Sequence, residues 1–264
     1  MPAPIITLTT DYGTGDHLAG TLKGVILKIL PDAQIVDVTH SVVPYDLLDG
    51  ALSIAAASRY FPARTVHVVV VDPGVGSPRR PILVSADNQY YVAPDNGVLS
   101  MIYDRAEDLT VRHITAEHYF LRPLSTTFHG RDVFAPVAAW LAKNSQSEAF
   151  GDPITDFTRF AVPRPKQADR GLRGAVLRVD NFGNLMTNFC MQDLPEASRC
   201  VGPIDMTVGG KPVKKFVETF AQGENGEPVA LVGSTGFLEI AVNKGSAART
   251  LGVGRGAEVV IALS

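Results

Sequence analysis

The sequence predicts an α/β domain on a mainly parallel sheet, followed by a smaller β-barrel-like domain. Strand, helix, strand, helix and strand signals succeed one another over about the first seventy residues, the pattern of right-handed crossovers in a parallel sheet. The third of those strands contains Val68, Val69, Val70 and Val71, a β-branched run suited to burial on both faces. From about Gly151 the texture changes: helical periodicity fades into short apolar runs broken by Gly, Asn and Pro, the signature of a small barrel or sandwich. The expected organisation is residues 1–150 for the α/β domain, 151–171 for a linker carrying Pro153, Pro163 and Pro165, and 172–264 for the β domain.

Each element has its own warrant. Ile5 to Thr9 is a short apolar run ending in Thr10-Asp11-Tyr12-Gly13. From Asp16 to Leu30, apolar residues fall at helical spacing (Leu18, Leu22, Val25, Ile26, Ile29) and stop at Pro31. Ile35 to Val38 is a second buried-type strand closed by Thr39-His40, and the alanine-rich stretch Asp46 to Phe61 reads as a helix ended by Pro62. The valine strand ends in Asp72, where Pro73, Gly74 and Gly76 make the chain turn. Ile82 to Ser85 and Tyr90 to Ala93 form a hairpin across Ala86-Asp87-Asn88-Gln89; Asp95-Asn96-Gly97 leads into a short helix, and Val133 to Leu141 is another.

Composition narrows the classes. A chain of 264 residues with 45% hydrophobic and 19% charged side chains is that of an ordinary globular protein. A formal net charge of −3 gives no support to a nucleic-acid or membrane-surface role, which calls for a basic face. No apolar run reaches the roughly 20 residues of a membrane span, and the first residues lack the pattern of a signal peptide. Cys190 and Cys200 are too few for a disulfide framework or a zinc site. The cytoplasm is the expected location, and no nucleic acid or membrane partner is expected.

Three parallel strands leave their carboxyl ends at one edge, where open α/β sheets place ligands. That edge gathers Asp11 with Asp16 and His17, then His40, then Asp72; His129, in a glycine-bounded turn before a helix, overhangs it. Asp16 suits a helix cap better than a ligand, and His40 and His67 read as ordinary strand histidines, leaving Asp11, Asp72 and His129. No His-x-x-x-His, His-x-His or dense carboxylate set marks a metal site. Gly13-Thr14-Gly15 completes neither a phosphate loop nor a dinucleotide fingerprint, and no Gly-x-Ser-x-Gly elbow is present. A crevice with a carboxylate, a histidine and an arginine suits activation of water on a small polar substrate.

Six motifs taken in order resemble a known family: Leu8-Thr9-Thr10-Asp11-Tyr12-Gly13, Val71-Asp72-Pro73-Gly74-Val75-Gly76, Pro94-Asp95-Asn96-Gly97, Thr127-Phe128-His129-Gly130-Arg131-Asp132, Asp180-Asn181-Phe182-Gly183-Asn184 and Gly233-Ser234-Thr235-Gly236-Phe237-Leu238-Glu239-Ile240-Ala241. They are similar to the S-adenosylmethionine hydrolases (S-adenosylmethionine hydroxide adenosyltransferases), relatives of the fluorinating and chlorinating enzymes that consume the same molecule. The resemblance implies a homotrimer with active sites between subunits, S-adenosyl-L-methionine as substrate rather than cofactor, adenosine and L-methionine as products, and no cofactor or metal. It implies that Asp11 grips the ribose hydroxyls, with Tyr45 against the ribose. It implies further that Asp180 binds the methionine amino group, Asn184 the adenine and Ser234 the methionine carboxylate, while the backbone near Asn243 and Lys244 reads the adenine edge. Asp72, Arg79 and His129 match the trio that holds and polarises water. Arg79 is preferred to Arg80 on its spacing from Asp72, and either Asp72 or His129 serves as base.

Halogenating relatives carry tyrosines at the positions of Asp72 and His129, and an insertion near Ile82 that this chain lacks. A carboxylate repels a halide, so the resemblance favours hydrolysis. Thr235 stands where some relatives have an arginine beside the serine. Two alternatives stay open at this level: a protein that binds an adenosyl ligand with little turnover, and a halide-using adenosyl transferase.

Overall fold

The computed structural model describes residues 3–168, 171–194 and 201–262, so that Cys200 lies outside the described residues. The chain divides into two compact units, Met1–Ala161 and Val162–Ser264. In the first, β1 (Ile5–Thr10), β2 (Gln34–Thr39), β3 (Val66–Val70), β4 (Pro81–Ala86), β5 (Gln89–Pro94) and β6 (Leu109–His113) form one sheet in the order β2-β1-β3-β5-β4-β6. The pairs β1–β2, β1–β3 and β3–β5 are parallel, as the alternating signals require. The hairpin partner β4 runs antiparallel to β5 and to β6, which makes the sheet mixed at one side.

The valine run shows how the sheet is covered twice. Val66, Val68 and Val70 point into one core with Leu22 and Ile26 of α1 (Leu18–Ile29) and Val137 and Ala138 of α4 (Ala135–Ala142). Val69 and Val71 point into the other, with Ile54 of α2 (Leu47–Ser58) and Ile102 of α3 (Ser100–Arg105). The period-2 alternation of a strand supplies both layers from one stretch of sequence. The helix starts are built locally: the Leu18 N–H donates to Asp16 Oδ1 at 2.9 Å, and Asp46 caps α2 by accepting from the Asp49 N–H. Residues 152–160 lie along this unit, with the Ile154, Thr158 and Phe160 N–H groups bonded to Val111 O, Asp95 Oδ1 and Ser100 Oγ.

In the second unit, β8 (Gly171–Val179), β9 (Leu185–Cys190), β10 (Gly202–Val208), β11 (Lys211–Phe216), β12 (Pro228–Val232), β13 (Phe237–Val242) and β14 (Glu258–Ala262) close into a seven-stranded barrel when β14 pairs with β8. The short β7 (Lys166–Ala168) pairs with the outside of β8. Closure removes the free edges of these short strands, and the interior is filled by Val176, Phe189, Met206, Val213, Ile240, Val259 and Ile261.

Candidate active site

Because β1, β2 and β3 are parallel, Asp11, His40 and Asp72 leave the sheet at the same edge. The three residues then part company. His40 Nδ1 pairs with Thr10 Oγ1 at 2.9 Å and its Nε2 lies 3.1 Å from Asp37 Oδ1, an internal tie between strands. His67 is wholly buried, bonded to Thr7 Oγ1 at 2.7 Å and stacked on Tyr91; burial pushes it down to about 4, so it is a neutral core residue. Asp11 accepts from the Tyr45 N–H at 2.9 Å, which seats Tyr45 beside it at a positive φ of 67° with the residue 73% exposed.

Asp72 is the centre of a cluster. The loop after β3 folds back through Gly76, whose φ is +79°, and brings Arg79 onto the carboxylate. Arg79 Nε donates to Asp72 Oδ1 at 3.0 Å and Nη2 donates to Oδ2, the two-pronged arrangement that a planar guanidinium makes with a carboxylate. Nη2 also reaches His129 Nδ1 at 2.8 Å. Both charged side chains are nearly enclosed, at 5% and 9% exposure for Asp72 and Arg79, so the pair is little screened. Arg79 Nη1 is buried with no hydrogen-bond partner among the described residues. Arg80 faces elsewhere and binds Asp95 Oδ2 and Asp156 Oδ1. Of the two arginines, Arg79 is the one in contact with Asp72.

The bond from Arg79 also sets the state of His129. Guanidinium carries only donors, so Nδ1 must accept, and the neutral ring keeps its proton on Nε2. Burial and the adjacent Arg79 charge hold His129 below the ordinary imidazole value, partly offset by Asp72 and Asp132. His129 precedes a wide, π-type turn, Gly130–Phe134, that leads into α4; such turns recur at functional sites. Buried Asp132 stiffens this corner by accepting from the Ser125 N–H and from Arg131.

The barrel carries a second feature, a cavity of about 1010 Å³. Asp180, Asn184, Ser234 and Lys244 all line it, although they come from two separate parts of the unit. Asp180 Oδ1 accepts from the Phe182 and Asn184 N–H groups at 2.9 and 2.8 Å, and its Oδ2 accepts from Asn184 Nδ2 at 2.9 Å, which locks the loop 180–184. Gly183 allows the close approach of Ser246: an added Cβ would lie 2.0 Å from its Oγ. Asn243 does not line the cavity; its Nδ2 donates to Gly223 O at 3.0 Å and ties two loops together.

Phe182, Phe220 and Glu239 are among the lining residues to which the motifs assign no role. Phe182 and Phe220 are 76% and 46% exposed, and offer aromatic faces on which a heteroaromatic base can stack. Phe182 stands in a quoted motif, whereas Phe220 lies in a stretch with no signal. Glu239 is the third, its carboxyl raised by burial and by the Asp180 charge. Among the described residues no three His, Cys, Asp or Glu side chains are grouped to hold a metal ion, and no helix is long and apolar enough to cross a membrane.

The family models agree with this layout. The SAM hydroxide adenosyltransferase N-terminal domain matches residues 6–151 and the corresponding C-terminal domain matches 174–260. A Salinispora tropica protein named (R)-S-adenosyl-L-methionine hydrolase is 38% identical, with 96% of this chain and 95% of that protein covered. A fluorinase from Actinoplanes sp. is 31% identical over 92% of this chain and 93% of its own length. The crystal structure of a conserved Thermotoga maritima protein superposes with a TM-score of 0.91 at 37% identity, covering 98% of this chain and all of that one. With both halves matched in order, the chain belongs to the S-adenosylmethionine hydroxide adenosyltransferase family.

Proposed function

We propose that this protein hydrolyses S-adenosyl-L-methionine with water to adenosine and L-methionine, without a metal. One observation carries the reading: an enclosed Asp72 carboxylate, forked by Arg79, which is itself bonded to His129, at the ligand-binding edge of the sheet. The Salinispora relative named for hydrolysis of the same molecule supports it. A sulfonium leaves readily, so the chemistry requires an oriented water in line with the C5′–S bond and a group to take its proton. Asp72 is that acceptor. His129 is committed through Nδ1 to Arg79 and carries its proton on Nε2, so it anchors the guanidinium. Arg79 Nη1, buried and unpartnered, donates to the water oxygen. The C5′–O bond forms as C5′–S breaks, sulfur keeps the electron pair, and one water proton passes to Asp72.

Asp11 and Tyr45 hold the ribose. The barrel cavity takes the rest of the molecule: Asp180 the ammonium, Ser234 the carboxylate, and Asn184 with the backbone at Lys244 the adenine, its ring stacked on Phe182 and Phe220. The protein works as a homotrimer in which the second unit of one chain completes the site on the first unit of its neighbour. Incubation with S-adenosyl-L-methionine, with and without chelator or halide and resolved by liquid chromatography, tests the reading. Catalytic, chelator-resistant formation of adenosine and methionine is expected. Substrate held stoichiometrically and released unchanged would make the protein a binder, and a halogenated adenosine would make it a halide transferase.

A further inference from the structure

Tyr12 stands directly after Asp11 and has no part in the scheme above, yet its hydroxyl lies against Gly130, the neighbour of His129, and feels the charges of Asp72 and Arg79. Its ring meets Phe128 edge-on at 5.9 Å between centroids, fixing it beside the turn that carries His129. The Oη position follows from Gly130: a Cβ built there would lie 2.3 Å from Tyr12 Oη, so the hydroxyl rests on the residue next to His129, in space that only glycine leaves open. Asp11, Asp72 and Arg79 all act on the phenol electrostatically. No hydrogen bond to this hydroxyl is made among the described residues, and the residue is only partly buried, so the hydroxyl is free to bond a water. Burial first, then the Asp11 and Asp72 charges, push the phenol above its ordinary value, so the group is neutral at physiological pH.

We infer that Tyr12 is a further catalytic residue, whose hydroxyl accepts the non-transferred hydrogen of the attacking water and so fixes the direction of attack. The inference rests on the hydrolase reading. In the displacement, one water hydrogen goes to Asp72, the other stays bonded to the new 5′-hydroxyl oxygen and faces Tyr12 Oη, and the phenol gains and loses no proton. Its contribution is orientation, the kind of effect in which a displacement of about 1 Å costs on the order of a hundredfold in rate.

Tyr12→Phe keeps the ring and its contact with Phe128 while deleting the hydroxyl. The expected result is a fall in kcat of about ten- to a hundredfold, with KM and the equilibrium affinity for S-adenosyl-L-methionine within about twofold of the parent. Gly130→Ala supplies the second arm. Its Cβ displaces Tyr12 Oη and is expected to lower kcat to a similar extent, whereas in the Tyr12→Phe background it adds little, because the atom it collides with is gone. An unchanged kcat in Tyr12→Phe, equal losses of rate and affinity, or fully additive losses in the double variant would each overturn the role of Tyr12. A parent protein that leaves S-adenosyl-L-methionine intact would instead overturn the hydrolase reading and take this role with it; parent turnover with an unaltered Tyr12→Phe rate removes Tyr12 alone.

Discussion

Asp72 and Arg79 form a charged pair with almost no solvent around it, and that decides how either is best altered. Truncating one partner of such a pair leaves the other charge buried alone, at about 3–5 kcal/mol. Asp72→Ala therefore mixes unfolding with loss of chemistry. Asp72→Asn keeps the shape and removes the proton acceptor; it should lower kcat by about a thousandfold while calorimetry still records binding of S-adenosyl-L-methionine. An Asn variant with near-parent turnover would take Asp72 out of the mechanism. His129 gives a signed pH dependence. Its charged form is disfavoured by burial and by Arg79, and protonation of Nδ1 would set two donors against each other. The active neutral ring persists to lower pH than an ordinary imidazole, so kcat/KM should be level through neutrality and fall on the acid side only below about 6.5. An acid limb at or above neutrality would contradict that assignment.

At the scale of elements, the loop between β3 and β4 holds the site together, and glycine is essential to it. Gly76 has φ +79°, and a Cβ there would sit 2.3 Å from the backbone oxygen of Thr126, in the loop that leads to His129. Gly76→Ala is expected to cost more than about 1 kcal/mol in stability and to separate Asp72 and Arg79 from His129, with activity lost beyond what the stability loss explains. Thermal unfolding measured beside kcat separates the two effects; parent-like activity would show that the loops are not coupled. The elements also show what the sequence makes legible. Alternating strand and helix signals and the valine run predict the parallel core, because burial on both faces leaves a plain pattern. Strand β6 goes unread because Leu109-Thr110-Val111-Arg112-His113 is an outer strand on which Val111 alone is fully buried, so its apolar signal is faint. Arg79 and Arg80 are adjacent and alike in sequence; their different partners follow from the turn before β4, which residue type does not encode. Phe182 and Phe220 come together only when the barrel closes, a long-range event that a local pattern does not carry.

At the scale of the whole molecule, the water-handling cluster belongs to the α/β unit and the cavity with its aromatic faces to the barrel. The proposed trimer joins them across subunits, and a chain working alone would then lack half of its substrate contacts. Dilution or interface substitutions that yield monomers should remove turnover, followed by light scattering beside the chromatographic assay; a monomeric fraction with parent activity would refute the shared site. The central claim is that water attacks C5′ of the ribose. The most direct measurement is turnover in ¹⁸O-labelled water with mass spectrometry of the products. Attack by water at C5′ places one labelled oxygen in adenosine, at the 5′-hydroxyl, and none in methionine. Unlabelled adenosine, or S-adenosyl-L-methionine recovered intact, would contradict it.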